Sequence, residues 1–286
     1  MEQMSLAITM MIAFLLAAGI FHGIALQHHF FEIEKRKKVA CFDSKTLLVI
    51  LISFIILSRL LPHFSYGIFL KFSRFLNPIV SDPTLKMLSF SISSLVTIFT
   101  ILLIGYSQNP TGLKETIGFE KTQFFYFLKM GFYTFILAIT TLTFLGILLQ
   151  IILYGIFSRN GSEQMIITYL RSHPDLLGVK ILGFMNIVLF APALEEIVFR
   201  GCIQRYLSFR IQRKYAIIIG SILFSIAHFH LDQGIGNIPL LPCIFVLSCY
   251  LGFIYEKTRS LISPIVLHML FNLDGMIHIF YQIQST

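Results

Sequence analysis

The chain contains no tryptophan, only 13% of its residues are charged, and its cysteines number four. A soluble domain of this length needs a far more charged surface, so a water-facing globular class is excluded. Cys41, Cys202, Cys243 and Cys249 show neither paired zinc-type spacing nor a secreted disulfide framework, and they read as small apolar packing residues. The helical H-E-x-x-H of soluble zinc proteases is missing, as are a Ser/His/Asp signature and a glycine-rich phosphate loop. Nucleotide-driven work is therefore unsupported, and Ser225 and Ser263 read as ordinary helix residues. Without tryptophan, any interfacial aromatic belt must come from tyrosine and from the 30 phenylalanines.

What fills the chain instead is apolar sequence. Hydrophobic residues make up 56% of the 286, and mean hydropathy is +0.81. This composition predicts an all-α, polytopic transmembrane helical bundle, one integral membrane domain over residues 1–286. The formal net charge of +8 would suit a nucleic-acid partner. Most basic residues, however, cluster between apolar runs, as cytoplasmic loops require, so no nucleic acid is expected and membrane lipid is the medium.

The apolar runs predict about eight spans: Ser5–Leu26, Thr46–Leu61, Met87–Tyr106, Phe124–Phe157, Val179–Leu207, Tyr215–Phe229, Ile238–Tyr255 and Leu261–Tyr281. The leader before the first run carries Glu2 and no Lys or Arg, which is wrong for a signal peptide, so an uncleaved first span is expected. The run Phe124–Phe157 lacks a turn and reads as one long tilted helix or a helix with an interfacial extension. Gly67–Val80 is amphipathic and basic and is expected to lie on the surface. Basic loops at Lys35–Lys38, Arg205–Lys214 and Lys257–Arg259 place both termini outside. Lys71, Arg74, Lys86, Arg159 and Arg171 fall on the wrong side of that scheme. Arg59, Lys129 and Lys180 lie near run ends, where they can snorkel to the interface.

Residues 1–178 carry little chemistry; the polar singularities follow residue 190. The first is Glu195-Glu196-x-x-x-Arg200, after a run that is apolar apart from Asn186. A charge within a bilayer costs at least ~2.5–3.5 kcal/mol, so such residues face a bundle interior and mark function. Glu196 and Arg200 share a helical face and can pair, while Glu195 points about 100° away. Pro192 lacks an N–H and frees backbone groups just before the doublet. The second is Phe224-x-x-x-His228, and the third is His268-x-x-x-Asn272, each pair co-facial on a helix.

Singly, each has a bland reading: a structural Glu–Arg staple, a packed histidine, a His/Asn pair gluing helices. His230, at a span's end, needs no role beyond solvation. Together, two carboxylates, two imidazoles and a carboxamide fall in three of the last four spans, and these groups suffice for two chemistries. A glutamate near histidine can deprotonate water while His and Asn hold an oxyanion. Equally, Glu195, His228 and His268 could bind Zn2+ with an open position.

The ordered set E-E-x-x-x-R, F-x-x-x-H and H-x-x-x-N resembles the CPBP family of intramembrane proteases, which includes type II CAAX prenyl endopeptidases and bacteriocin-processing or self-immunity proteins. Pro192, Phe199-Arg200-Gly201 and Ser263-Pro264-Ile265 fit the same pattern, and the resemblance covers roughly Leu182–Asp274. It implies a catalytic core at 179–286 behind N-terminal spans at 1–178. It further implies Glu195 as general base, His228 beside the water, His268 and Asn272 at the substrate carbonyl, and Glu196, Arg200 and Phe224 as support. Both metalloprotease and metal-free mechanisms are attached to such sites; Asn272 is a poor zinc ligand and a good oxyanion donor, which favours the metal-free one. The expectation is an endopeptidase cutting a membrane-associated or lipidated peptide near the cytoplasmic side of a bacterial inner (cell) membrane. The alternative is a non-catalytic immunity or peptide-binding protein of the same fold.

Overall fold

In hydrocarbon, a backbone must satisfy its own hydrogen bonds, and a helix does so within one segment. The computed structural model describes residues 2–33, 42–75, 81–157 and 165–284, and the regular elements among them are all helical. In order these are α1 (Glu2–Gln27), α2 (Ser44–Arg59), α3 (Leu61–Phe75), α4 (Asp82–Gln108), α5 (Pro110–Ile117), α6 (Phe124–Phe157) and α7 (Met165–Arg171). There follow α8 (Leu177–Phe184), α9 (Ala191–Glu196), α10 (Arg205–Arg210), α11 (Arg213–Ala227), α12 (Asn237–Thr258) and α13 (Ile262–Gln284). Two π-helical segments, Met185–Phe190 and Ile197–Gln204, join α8, α9 and α10 into one rod, Leu177–Arg210.

Among the described residues, seven stretches are long and apolar enough to cross a membrane, which makes this a multi-pass membrane protein. They match seven of the eight expected spans. The other, Tyr215–Phe229, is the 15-residue α11, only about 22 Å long against a hydrocarbon core of ~30 Å. Phe124–Phe157 is one unbroken helix of 34 residues. Gly67–Val80 differs from its expected surface placement. Its first part belongs to α3, which continues from α2 within the stretch Ser44–Ser73 and packs on α4; residues 76–80 lie outside the described residues, as do Lys35–Lys38, Cys41 and Arg159.

Contacts between helix ends define one face of the bundle. Ser44 Oγ lies 2.7 Å from the Tyr206 hydroxyl, Arg205 donates to the Glu115 carbonyl, Leu261 N–H donates to the Ile117 carbonyl, and Lys257 Nζ donates to the Glu32 carbonyl. This first face therefore gathers the ends of α4, α10 and α12 and the starts of α2, α11 and α13. The second face, at the other helix ends, holds the start of α4, α7 and the connection from α11 to α12.

Apolar side chains pack between these helices. Leu137, Ala138 and Leu142 of α6 meet Leu247, Leu251 and Ile254 of α12 and Leu267 of α13. Ile50, Ile101, Leu194, Val198 and Phe224 form a second cluster beside the rod. Two glycines fix where α13 sits. Gly118 has φ +62°, and a Cβ there would stand 1.9 Å from the Arg259 carbonyl oxygen. At the crossing of α6 and α13, a Cβ on Gly131 would stand 2.7 Å from the Ser263 carbonyl oxygen, and Ser263 Oγ donates to the Phe127 carbonyl at 2.9 Å. Ser263 is thus an interhelical tie, as is Ser225, whose hydroxyl donates to the Leu241 carbonyl.

Candidate active site

The doublet lies on the short α9, between the two π-helical segments. A π turn widens the helix and leaves backbone groups out of the usual register, which is why such turns recur at functional sites. Here the cause is legible. In the first π segment the Ala191 N–H reaches back five residues to the Asn186 carbonyl. The next bond in that register would run from residue 192 to Ile187, but Pro192 has no N–H. Asn272 Nδ2 supplies the donor instead, bonding the Ile187 carbonyl at 2.8 Å. The backbone group freed by the proline is therefore held by α13.

Glu195 and Glu196 diverge as their spacing predicts. Glu196 is fully buried, and its Oε1 accepts from Arg200 Nη1 at 3.1 Å and from His268 Nδ1 at 2.9 Å. Arg200 also donates to the Ser248 hydroxyl at 2.7 Å and to the Ser248 carbonyl at 3.2 Å. Its guanidinium carbon sits 4.5 Å from the centre of the buried Phe224 ring. That ring in turn touches both imidazoles, with centroids 4.6 Å from His228 and 5.9 Å from His268. Phe224 thus spaces the guanidinium from the two histidines.

Glu195 turns the other way and keeps partial exposure. Its Oε2 lies 3.8 Å from His228 Nε2 and 3.7 Å from His268 Nε2. The far side of each ring decides its tautomer. His228 Nδ1 is 2.8 Å from the Phe224 carbonyl oxygen, which can only accept, so Nδ1–H donates. His268 Nδ1 likewise donates to the Glu196 carboxylate. Both rings, when neutral, turn an Nε2 lone pair toward Glu195. His268 bridges the doublet, one ring nitrogen to each carboxylate.

Two imidazoles and a carboxylate are a zinc-type donor set, with each Nδ1 held as ligating histidines usually are. Their placement does not suit the ion. Zinc bonds of 2.0–2.1 Å imply ligand-to-ligand edges of about 3.3–3.4 Å in a tetrahedron, shorter than the 3.7 and 3.8 Å found. Among the described residues, no group of three or more His, Cys, Asp or Glu is arranged to hold a metal ion.

A cavity of about 750 Å³ adjoins the site, a volume suited to a peptide side chain or a drug-sized ligand. His228, Ala191, Ile187 and Asn186 line it near the doublet, Met87 and Phe90 along α4, and Lys86, Tyr169 and Ser172 toward the second face. Buried Asn186 donates to the Met87 carbonyl.

Several supporting groups were not anticipated from sequence. Ser248 is one. Arg200–Ser248, Gln204–Gly252 and Ser208–Glu256 are hydrogen-bonded pairs with a constant separation of 48 residues. This is the mark of two helices running parallel in register, the rod and α12. The signal was present as two stripes of polar and small residues at four-residue spacing, but only their pairing gives it meaning. The third pair opens a second buried ionic cluster, in which Glu256 also faces Arg213 at 3.5 Å and Arg259 at 3.2 Å.

The fold and this cluster define a helical, multi-pass membrane protein with a glutamate–histidine centre inside the bundle. Residues 177–273 match the family model for type II CAAX prenyl endopeptidase Rce1-like, about a third of the chain. That segment carries an Rce1-like domain, in keeping with a CPBP-family intramembrane protease. No curated protein and no solved structure matches the chain.

Proposed function

We propose that the protein is an intramembrane endopeptidase whose general base is Glu195. One observation carries this reading: Glu195 Oε2 faces Nε2 of both histidines within 3.8 Å, and each ring is oriented by a bond through Nδ1. A water touching Glu195 and His228 at ~2.8 Å fits above atoms so spaced. As its oxygen bonds to the scissile carbonyl carbon, its proton passes to Glu195 and the carbonyl electrons move to oxygen. The oxyanion is met by Asn272, whose amide has a second N–H besides the one bonded to Ile187. Collapse breaks the C–N bond as the proton on Glu195 passes to the leaving nitrogen, giving a carboxylic acid and an amine; transfer of the acid's proton to the amine leaves a carboxylate and an ammonium.

Charge count supports the division of roles. With both carboxylates ionised, Arg200 cationic and both imidazoles neutral, the cluster sums to −1, so it retains the water's proton without building up positive charge. Glu196, Arg200 and Phe224 hold His268 and His228 in place. No step passes through a metal. The substrate is a membrane-associated or lipidated peptide, and the protein sits in a bacterial cell membrane with both termini outside.

The test is Glu195→Ala and Glu195→Gln in purified, reconstituted protein, assayed against prenylated and unmodified fluorogenic peptides. Both should keep the thermal unfolding midpoint and lose cleavage by about 10²–10⁴-fold, the usual contribution of a general base. Undiminished cleavage would refute the assignment. A biological effect that survives Glu195→Ala would instead favour a peptide-binding protein.

A further inference from the structure

Asn186 is the one polar interruption of the run Ile181–Pro192, and the chemistry at Glu195 makes no use of it. Its side chain is 9% exposed and lines the cavity that reaches His228. Nδ2 donates to the Met87 carbonyl at 3.2 Å, which fixes the orientation of the amide, since that carbonyl can only accept. Oδ1 is left as a buried acceptor with no hydrogen-bond partner among the described residues. An unpaired buried acceptor destabilises a fold, so its place on a cavity wall points to a donor that enters the cavity. The residue before Met87 supplies a second signal. Lys86 lines the same cavity and is only partly buried; its ammonium rests 4.9 Å from the centre of the Tyr169 ring. Tyr169 is itself held, its hydroxyl donating to the Pro83 carbonyl. Asp82 stands four residues earlier on α4, the spacing of a helical ion pair, and Asp232 lines the cavity from the α11–α12 connection. Lys86 pairs with neither, and it forms no ion pair among the described residues. Because Lys86 adjoins Met87, the bond from Asn186 brings the cation and the orphaned acceptor to one patch of wall.

We propose that Lys86 and Asn186 form a substrate subsite for a carboxylate-bearing residue of the peptide. The ammonium meets the carboxylate, and Asn186 Oδ1 accepts the backbone N–H of the same residue. This rests on the proposed active site and names the substrate chemistry of its cavity. One residue carries both groups within a few bonds, whether its carboxylate is the peptide's C-terminus or an acidic side chain. A lysine suits either source, because its ammonium is a point charge with three donors and demands no fixed geometry. Its seat on an aromatic face is a weak one, which an arriving carboxylate replaces with a stronger partner. Asn186 lies nine positions before Glu195 on the rod, about 13 Å at ~1.5 Å per residue. Extended peptide covers that distance in about four residues. The subsite therefore selects the bond to be cut by its distance from a carboxylate.

The test uses full-length, reconstituted protein and fluorogenic peptides made in pairs, free acid and amide at the C-terminus. A third peptide keeps the amide and carries Asp about four residues from the bond that mass spectrometry of the products shows to be cut. The parent should cut the acid with a KM about 10–100-fold below that of the amide, the usual worth of a hydrogen bond to a charged group. Lys86→Met should bring the two KM values together, and Lys86→Arg should keep them apart. Lys86→Glu should instead prefer a peptide ending in lysinamide. Rescue by the Asp peptide assigns the carboxylate to a side chain, and its failure assigns it to the C-terminus. N-methylation of the carboxylate-bearing residue should raise KM for the parent and not for Asn186→Leu. Should Asn186→Leu fail to fold, the methylated peptide still probes Oδ1 in the unsubstituted protein. Equal KM for acid and amide in the parent, or a preference that survives Lys86→Met, overturns the proposal. Binding separates this from the catalytic reading: anisotropy of the labelled peptides is measured on Glu195→Gln protein, with and without Lys86→Met. If the parent cuts no peptide but Glu195→Gln binds acid over amide through Lys86, the catalytic reading falls and the subsite holds. Equal binding of acid and amide by Glu195→Gln overturns the subsite whatever the parent cuts.

Discussion

Replacing Arg200 by methionine is the sharpest probe of how the site is held. The guanidinium is buried and supplies one of the two hydrogen bonds to Glu196, whose other oxygen, Oε2, has no hydrogen-bond partner among the described residues. It also ties the rod to α12 through Ser248 and stacks on Phe224. Arg200→Met fills most of the same volume but leaves Glu196 as a buried charge facing His268 alone. Removing one member of a buried pair costs about 3–5 kcal/mol. For a chain of this size that corresponds to roughly 6–20 °C in the unfolding midpoint, measured on detergent-purified protein. The combined variant Glu196→Gln/Arg200→Met removes both charges and keeps an acceptor for His268 Nδ1. It should unfold within about 1–2 kcal/mol of the parent, because an apolar replacement of a whole buried pair is often close to neutral. The coupling between the two positions is then several kcal/mol in a double-mutant cycle. If Arg200→Met alone costs under about 1 kcal/mol, or if Glu196→Gln brings no recovery, the pair does not hold the site and the reasoning fails.

Gly118→Ala should lower the unfolding midpoint, since it combines a left-handed φ, worth about 1 kcal/mol or more, with a backbone collision against Arg259. Gly131→Ala should reduce cleavage more than stability, because displacing α13 moves His268 and Asn272 relative to Glu195; equal losses in both would argue against α13 as the positioning element. Metal content and activity, measured before and after chelation, test the chemistry of the centre. Cleavage by metal-free protein should be undiminished, and loss restored by zinc would show that Glu195, His228 and His268 close around the ion.

The apolar runs and their interruptions are local properties, so the helical class, most of the spans and the three polar motifs were readable along the chain. The four-residue spacings were equally local: they put Glu196 beside Arg200 and sent Glu195 elsewhere. Runs alone could not tell that α3 continues α2, because hydropathy carries no information about neighbours.

What only the tertiary structure decided is which long-range partners complete each local signal. Pro192 announced a freed backbone group, but not that Asn272, 80 positions later, bonds the orphaned Ile187 carbonyl. His268 could be read as a partner for either glutamate; the fold gives one ring nitrogen to each. Ser248 had no signal of its own until α12 lay in parallel register with the rod. The physical reason is common to all three. In hydrocarbon a polar group must find a partner inside the protein, so sequence marks where a bond is owed, and packing selects the residue that makes it.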